Sequence, residues 1–365
     1  MGRVSRYSNV LEGLTLTWKV GEFKGRDFIN TQDWKREELE KILECAADIK
    51  KNYKAGKTAD YLKDRTLFMI FFNRSLRTRN SFEAGMTQLG GHAHFLSPQD
   101  IYTPALPGDE EAYTTERVAD VARVLNEMGD AIAIRIYGKY AKYIYGRGNM
   151  VNLEFAKWAG IPLINMEDDV YHPCQGMADI MTIKEKIPKP QGKKFVMSWA
   201  YTPSTEKPMA VPQSASLITS MFGMDVVQAQ PKGFDLDPKI IKACKENADR
   251  YGGSFEVSYD MKEAFEGADV VYPKSWWSLD LVPPKLNAKE PDWNGLKALF
   301  DKNKSWICDQ KLMDRAKKNA LYMHCLPADR GFEVTDEVMD GPNSVVFQQA
   351  GNRLHAQKGV MAMIM

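Results

Sequence analysis

Short apolar runs of strand length recur along this chain. Most are followed by a stretch whose apolar residues return every three or four positions. The first pattern buries an extended segment on both faces, and the second lays one apolar stripe along a helix. Thr31-Gln32-Asp33-Trp34 starts a helix carrying Leu39, Ile42, Leu43, Ala46 and Ile49 at helical spacing. Residues 67–72 read as a buried strand, and Phe82, Met86 and Leu89 mark the helix after it. Gly90-Gly91 ends that helix and 92–96 reads as a second strand. Residues 97–114, rich in proline, glycine and acid and without periodicity, read as a long loop. A helix through Val118, Val121, Ala122, Leu125 and Met128 follows, then a buried strand over 131–134 ending at Arg135. A helix over 151–159 and a strand over 161–165 complete the first half. The second half repeats the rhythm, with strands over 194–199, 225–229, 255–258, 269–272, 320–323 and 344–347. Its helices fall over 215–222, 237–251, 261–265 and 350–365, and the segment 201–213 contains Pro203, Pro208 and Pro212. Alternating strands and helices predict parallel α/β architecture in two units, with a crossover near His172. Residues 1–30 are polar and irregular, an expected arm.

The length of 365 residues allows two domains, each with its own core. Forty-nine basic residues against 48 acidic ones leave a net charge of +1, which argues for neither a nucleic-acid nor a membrane surface. No apolar run is long enough to span a bilayer. The opening MGRVSRYSNV lacks the apolar core of a signal peptide, and Arg6 stands where a myristoylation motif needs a hydroxyl. The expected location is therefore cytoplasmic. The five cysteines, Cys45, Cys174, Cys244, Cys308 and Cys325, are scattered, with no zinc-like spacing, and are expected as free thiols.

Candidate chemistry gathers where strands end. Ser75, Arg77, Thr78 and Arg79 sit between the strand over 67–72 and its helix. A helix N-terminus presents unpaired N–H groups and the positive end of the macrodipole. Two hydroxyls and two guanidiniums added there suit a small multivalent anion such as phosphate. A capping serine followed by two solvated arginines accounts for the same spacing. Arg135 ends a strand, His172 and Gln175 open a helix, and Lys274 and His324-Cys325 follow strands. Ligands of open parallel sheets bind beyond the carboxyl ends of the strands, so this shared position outweighs any single residue. Neighbours on a strand point to opposite faces, so His324 need not meet Cys325 and no nucleophilic thiol is read from the dipeptide.

Ser75-Leu76-Arg77-Thr78-Arg79 resembles the carbamoyl-phosphate loop of the aspartate/ornithine carbamoyltransferase superfamily. His172-Pro173-Cys174-Gln175, with Ala178-Asp179 one turn on, resembles its carbamoyl-binding signature. From His324 to Ala362 the chain is similar to ornithine carbamoyltransferases almost residue by residue, and the resemblance covers about residues 30 to 365. Leu76, Ser198-Trp199-Ala200-Tyr201-Thr202-Pro203 and Tyr272-Pro273-Lys274-Ser275-Trp276-Trp277 look like the branch acting on N-acylated ornithine, or a related subgroup sharing these two motifs. Asp329-Arg330 and Glu333 depart from the acetylornithine enzymes, which carry a basic pair and a lysine, and Gly351 stands where ornithine enzymes usually carry glutamate. An acidic Asp329 would suit an ammonium better than an acyl oxygen.

The resemblance implies an α/β fold of two doubly wound parallel-sheet domains joined by interdomain helices, with a trefoil knot in the second. Residues 1–170 would bind carbamoyl phosphate, with helix 350–365 packing back on them, and 171–349 would bind the acceptor. It implies a carbamoyltransferase that makes a ureido product and phosphate from carbamoyl phosphate and an amino acid, most simply ornithine or an ornithine-like amine. Ser75, Leu76, Arg77, Thr78, Arg135, His172, Gln175, Leu326 and Arg353 would bind carbamoyl phosphate. Arg77, Arg135, His172 and Cys325 would form the catalytic set, with His172 donating to the developing oxyanion. Trp199, Lys274, Ser275, Trp276, Cys325 and Asp329 would border the acceptor. Neither metal nor organic cofactor is called for, since phosphate leaves as its own base and positioning supplies much of the rate. The superfamily's sites lie between subunits, so a homotrimer is implied, with loop 97–114 reaching a neighbour. The same fold run catabolically on another ureido compound, or a non-catalytic paralogue, are the other readings. Retention of the phosphate-side residues opposes the paralogue. A dehydrogenase lacks its GxGxxG after any strand.

Overall fold

A computed structural model of the protein describes residues 18–57, 60–282 and 290–365; the first part of the expected N-terminal arm lies outside them. The first half runs α1 (Arg36–Lys54), β1 (Thr66–Phe71), α2 (Leu76–Gln88), β2 (His92–Leu96), β3 (Thr103–Ala105), β4 (Thr115–Arg117), α3 (Val118–Asn126), β5 (Ala131–Arg135), α4 (Arg147–Trp158) and β6 (Leu163–Glu167). After α5 (Pro173–Lys186) the second half runs β7 (Lys194–Trp199), α6 (Ala210–Met221), β8 (Asp225–Ala229), α7 (Pro238–Tyr251), β9 (Ser254–Ser258), α8 (Met261–Phe265) and β10 (Val270–Lys274). It closes with α9 (Trp293–Asp301), α10 (Gln310–Met313), β11 (Leu321–Tyr322), α11 (Asp336–Met339) and α12 (Val346–Ile364).

Beside the small pair β3-β4, two main parallel sheets result, one in the order β2-β1-β5-β6 and one in the order β11-β10-β7-β8-β9. In each, the first strand formed has later strands on both sides, so each sheet reverses direction beside it. The reversals fall between β1 and β5 and between β7 and β10, where Phe71 pairs with Arg135 and Trp199 with Lys274. Crevices outside the strand ends open at such points. Ser75, Arg77, Thr78, Arg135 and Lys274 stand at these two places, while His172 and Gln175 follow β6, Cys325 and Leu326 follow β11, and Arg353 lies in α12.

Helix α12 joins the halves by packing on α1, α2 and α5. Gly359 makes the α1 contact possible, because a Cβ there would lie 2.7 Å from the Ile42 carbonyl oxygen and 2.8 Å from the Ala46 Cβ. Gly359→Ala is therefore expected to destabilise the fold by about 1–3 kcal/mol in urea titration, with the helices forced apart.

Several boundaries differ from the periodicity for local reasons. The expected loop 97–114 contains β3, which pairs in parallel with β4. Helix α4 starts at Arg147, ahead of its apolar pattern, because the Asp169 carboxylate accepts the Gly148 and Asn149 N–H groups at its first turn. The expected strand 344–347 is a correction. Only Ser344 makes a bridge, to Tyr322, and Val346 already belongs to α12. A short apolar run carries no period of its own, and here Val346 is buried in one cluster with Val196, Val227 and Val338 as part of a helix. Helix α6 likewise begins at Ala210, with Pro212 tolerated in its first turn.

Candidate functional site

The two reversal points face a common cleft of about 480 Å³. Its first wall is the start of α2. Ser75 caps that helix, its Oγ accepting the Thr78 N–H at 3.1 Å, because the extended Ser75 backbone aims the hydroxyl back over the first turn. Thr78 is buried, and its Oγ1 accepts from Arg353 Nη2 at 3.1 Å. The Arg77 guanidinium crosses the cleft to the Leu326 carbonyl. Leu76 lies on the rim and is 74% exposed. Arg79 turns away, bonding Glu83 at 2.9 Å and covering the Phe95 ring, while Arg74 lines the cleft in its place.

Arg135, the last residue of β5, is buried at the cleft floor. Its guanidinium pairs with the Glu167 carboxylate and donates to the Tyr137 hydroxyl at 2.9 Å. Glu167 ends β6 and also lies 3.4 Å from His172 Nε2. His172 is held at the start of α5 by its own N–H, which donates to Ser214 Oγ at 2.7 Å. Burial first, then Arg353, Arg135 and Arg77, push its pKa well below the ordinary histidine value, so the imidazole is neutral. Gln175, one helical turn into α5, accepts from Arg353 Nη1 at 2.8 Å and donates to Asp179 at 2.7 Å. Four arginines (Arg74, Arg77, Arg135 and Arg353) line the cleft against two carboxylates, Glu167 and Glu206, and Glu167 is already paired with Arg135, so the surplus of guanidiniums suits a multivalent anion.

The opposite wall comes from the second sheet. Lys274 ends β10, is buried, and donates to the Ser275 carbonyl at 3.0 Å with Glu333 3.8 Å away. Burial opposes its charge, but Glu333, Cys325, Asp329 and Glu167 outweigh burial and raise its pKa above the usual lysine value. The turn after β11 carries Cys325 and Leu326 into the cleft. Leu326 has a left-handed φ of 58°, a conformation uncommon outside glycine, and its N–H donates to His324 Nδ1 at 2.9 Å. His324 Nε2 then faces Glu333 at 3.2 Å. Burial pushes the Cys325 thiol up, with Lys274 opposing, which leaves it an un-ionised neighbour rather than a nucleophile.

The cleft thus gathers Ser75, Leu76, Arg77, Thr78, Arg135, His172, Gln175, Lys274, Cys325, Leu326 and Arg353. It does not gather Trp199, Ser275, Trp276 or Asp329. Trp199 is fully buried against Phe234 and Phe300, and its indole donates to the Trp276 carbonyl at 2.9 Å. Trp276 is equally buried and donates to the Phe234 carbonyl at 2.8 Å. The Ser275 hydroxyl is taken by the Ala200 carbonyl. Asp329 accepts from Thr202 and, at 2.7 Å, from Lys207. It is Lys207 that lines the cleft, so the acidic side chain acts behind a basic one.

Glu167, Tyr137, Glu206 and Lys207 also line the cleft and escaped the sequence reading. The rule that singled out Arg135, a charged residue closing an apolar strand, applies equally to Glu167 at the end of LINME. Nothing local marks Glu206 and Lys207, which reach the cleft only because their loop folds across it.

Two family models match the chain. The carbamoyl-P binding domain of aspartate/ornithine carbamoyltransferase matches residues 26–185, and the Asp/Orn binding domain matches residues 207–364. The chain is 39% identical to the N-acetylornithine carbamoyltransferase of Xylella fastidiosa over 345 residues, covering 92% of this chain and 98% of that one. It is 41% identical to the ornithine carbamoyltransferase of Thermococcus kodakarensis over 346 residues, covering 95% and 98%. Among solved structures, acetylornithine transcarbamylase complexed with acetylcitrulline superposes with a TM-score of 0.85 at 38% identity, covering 92% of this chain and 98% of that one. The ornithine carbamoyltransferase from Pyrococcus furiosus superposes with a TM-score of 0.78 at 38% identity, covering 94% and 98%.

Proposed function

The chain belongs to the aspartate/ornithine carbamoyltransferase family, and from that premise we propose that it transfers the carbamoyl group of carbamoyl phosphate to the amine of an ornithine-like amino acid. One observation carries the reading: an arginine-rich helix-capped pocket and the buried cation Lys274 face each other across the same cleft. Ser75, Arg77, Thr78 and Arg135 hold the phosphate. Arg353, Gln175, neutral His172 and the Leu326 carbonyl surround the carbamoyl group. The amine nitrogen attacks the carbonyl carbon, and donors on Arg353 and His172 take up the charge that grows on its oxygen. The carbon–oxygen bond to phosphate breaks, and the departing phosphate accepts the amine proton. No side chain changes its covalent state, and the site's contribution is orientation and fixed charge.

Lys274 is the buried cleft lysine on the acceptor side, beside the more accessible Lys207, and pairs with the acceptor's carboxylate. Asp329 and Glu333 are engaged with the protein itself, so the acidic residues that separate this chain from the acetylornithine enzymes act on loop geometry rather than by touching an ammonium. Lys274→Ala is expected to raise the acceptor KM by about ten- to a hundredfold with the carbamoyl phosphate KM nearly unchanged. Equal rises in both would remove Lys274 from this role.

The division into a carbamoyl-phosphate domain over 1–170, completed by α12, and an acceptor domain over 171–349 belongs to the same reading. So do a cytoplasmic homotrimer, loop 97–114 reaching a neighbouring cleft, and a knot formed where the loop before α6 is held by the Trp277 N–H and by Asp329. No helix among the described residues is long and apolar enough to cross a membrane. The test is direct. Purified protein with carbamoyl phosphate is offered ornithine, N-acetylornithine, N-succinylornithine and putrescine, and ureido product is measured. Product from at least one acceptor is expected. No product from any, together with no calorimetric binding of carbamoyl phosphate, ends the proposal.

A further inference from the structure

Asp179 is fully buried in α5, does not itself line the cleft, and has no task in the chemistry above. Its Oδ1 nevertheless accepts two amides from distant parts of the chain, Gln175 Nε2 at 2.7 Å and Gln349 Nε2 at 2.7 Å. Its Oδ2 makes no hydrogen bond among the described residues. A primary amide has one donor end and one acceptor end of nearly equal shape, and only its partners decide which way it faces. A carboxylate oxygen offered to both amides fixes both. Gln175 must turn its Oε1 outward, where it meets Arg353 at the carbamoyl end of the cleft. Gln349 must turn its Oε1 to the His324 N–H, at 2.9 Å, which anchors the turn carrying Cys325 and Leu326. The same oxygen thus sets the polarity of groups on both sides of the carbamoyl position. Burial pushes the Asp179 carboxyl up to about 7, with the two amides opposing, yet Oδ1 remains an acceptor in either protonation state.

We infer that Asp179 is a positioning residue whose Oδ1 locks the Gln175 and Gln349 amides so that the cleft presents an acceptor, not a donor, to the carbamoyl NH₂. This rests on the carbamoyltransferase reading and adds a determinant that discriminates carbamoyl phosphate from phosphate. With the lock removed, Gln175 is free to rotate and offers N–H groups to an NH₂ that has none to accept. The phosphate contacts at Ser75, Arg77 and Arg135 do not pass through Asp179, and Thr78 is linked to it only at second hand, through Arg353 and Gln175.

The test compares Asp179→Leu and Asp179→Asn by steady-state kinetics, with inorganic phosphate as a competitive inhibitor. Asp179→Leu is expected to raise the carbamoyl phosphate KM about tenfold, the cost of one misdirected buried amide, while the phosphate inhibition constant stays close to wild type. Asp179→Asn keeps an oxygen at the Oδ1 position and is expected to restore the wild-type ratio of the two constants. If Asp179→Leu fails to fold, Asp179→Ser, whose hydroxyl is too short to reach both amides, replaces it. Parallel weakening of phosphate and carbamoyl phosphate would reduce Asp179 to a packing role and overturn the inference, as would an asparagine variant no better than leucine. Failure of the wild-type protein to bind carbamoyl phosphate at all would instead strike the functional reading beneath it.

Discussion

Arg135→Ala is expected to lower kcat/KM for carbamoyl phosphate by about a hundred- to a thousandfold. The guanidinium is buried, ends β5 at the reversal point of the first sheet, and lines the same cleft as Ser75, Arg77 and Thr78 at the start of α2, where the proposal puts the phosphate. Truncating one member of a buried, hydrogen-bonded charge pair costs about 2–5 kcal/mol, and each 1.4 kcal/mol is about tenfold. The variant is also expected to lose about 3–5 kcal/mol of stability in urea, because Glu167 is left buried beside a neutral His172 without its cation. Adding Glu167→Gln to it separates the two effects. The double variant is expected to regain most of the stability and none of the activity, since the anion's partner is still missing. An Arg135→Ala enzyme within threefold of wild type would show that phosphate is held elsewhere.

Glu333→Leu is expected to produce the next largest effect, on the other wall. Glu333 is completely buried, yet its two oxygens accept two backbone N–H groups and face two basic side chains. They accept the Ser275 and Asp329 N–H groups, each at 2.8 Å, and face His324 Nε2 and Lys274 Nζ. Burial opposes its ionisation, but Lys274, His324 and these hydrogen bonds outweigh burial and hold the carboxyl well below the usual glutamate value. Removing it leaves a buried ammonium uncompensated, an expected loss of about 3–5 kcal/mol in denaturant titration. It also frees the loops at Ser275 and Asp329, on the wall proposed to meet the acceptor, so the acceptor KM is expected to rise more than the carbamoyl phosphate KM. The sign of the pH dependence follows from linkage. A carboxyl whose folded pKa is depressed contributes fully above its unfolded value, and that contribution is lost as the pH falls below it. Wild type is therefore expected to lose stability relative to Glu333→Gln as the pH drops through the acidic range. A constant difference across that range would mean that Glu333 is not ionised in the fold.

The two carboxylates also mark the limit of what the sequence disclosed. The α/β alternation, the strand over 225–229, the helix cap at Ser75 and the Pro173 helix start were all legible, because each depends on neighbours within a turn or a pleat. Trp199 and Trp276, expected beside the acceptor, are instead buried outside the cleft lining for a related reason. An aromatic residue at a strand end looks the same whether its ring meets a ligand or a core, and here Phe234 and Phe300 complete a core. Asp329 and Glu333 were conspicuous as departures, but their partners could not be read from their positions.

The sequence by itself determined the main alternation of strands and helices and which strand ends carry charge, but not the short elements β3, β4, α9, α10 and α11 or the helical start of α12. The alternation and the charged ends follow from side-chain periodicity and backbone capping, which act over a few residues. Only the tertiary structure decided what those charges face: Glu167 between Arg135 and His172, Lys207 in front of Asp329, Glu333 behind Lys274, and Asp179 joined to Gln349 across 170 residues of chain. A buried polar group takes whichever partner the packing of remote elements brings within about 3 Å. That choice has no period for a sequence to display.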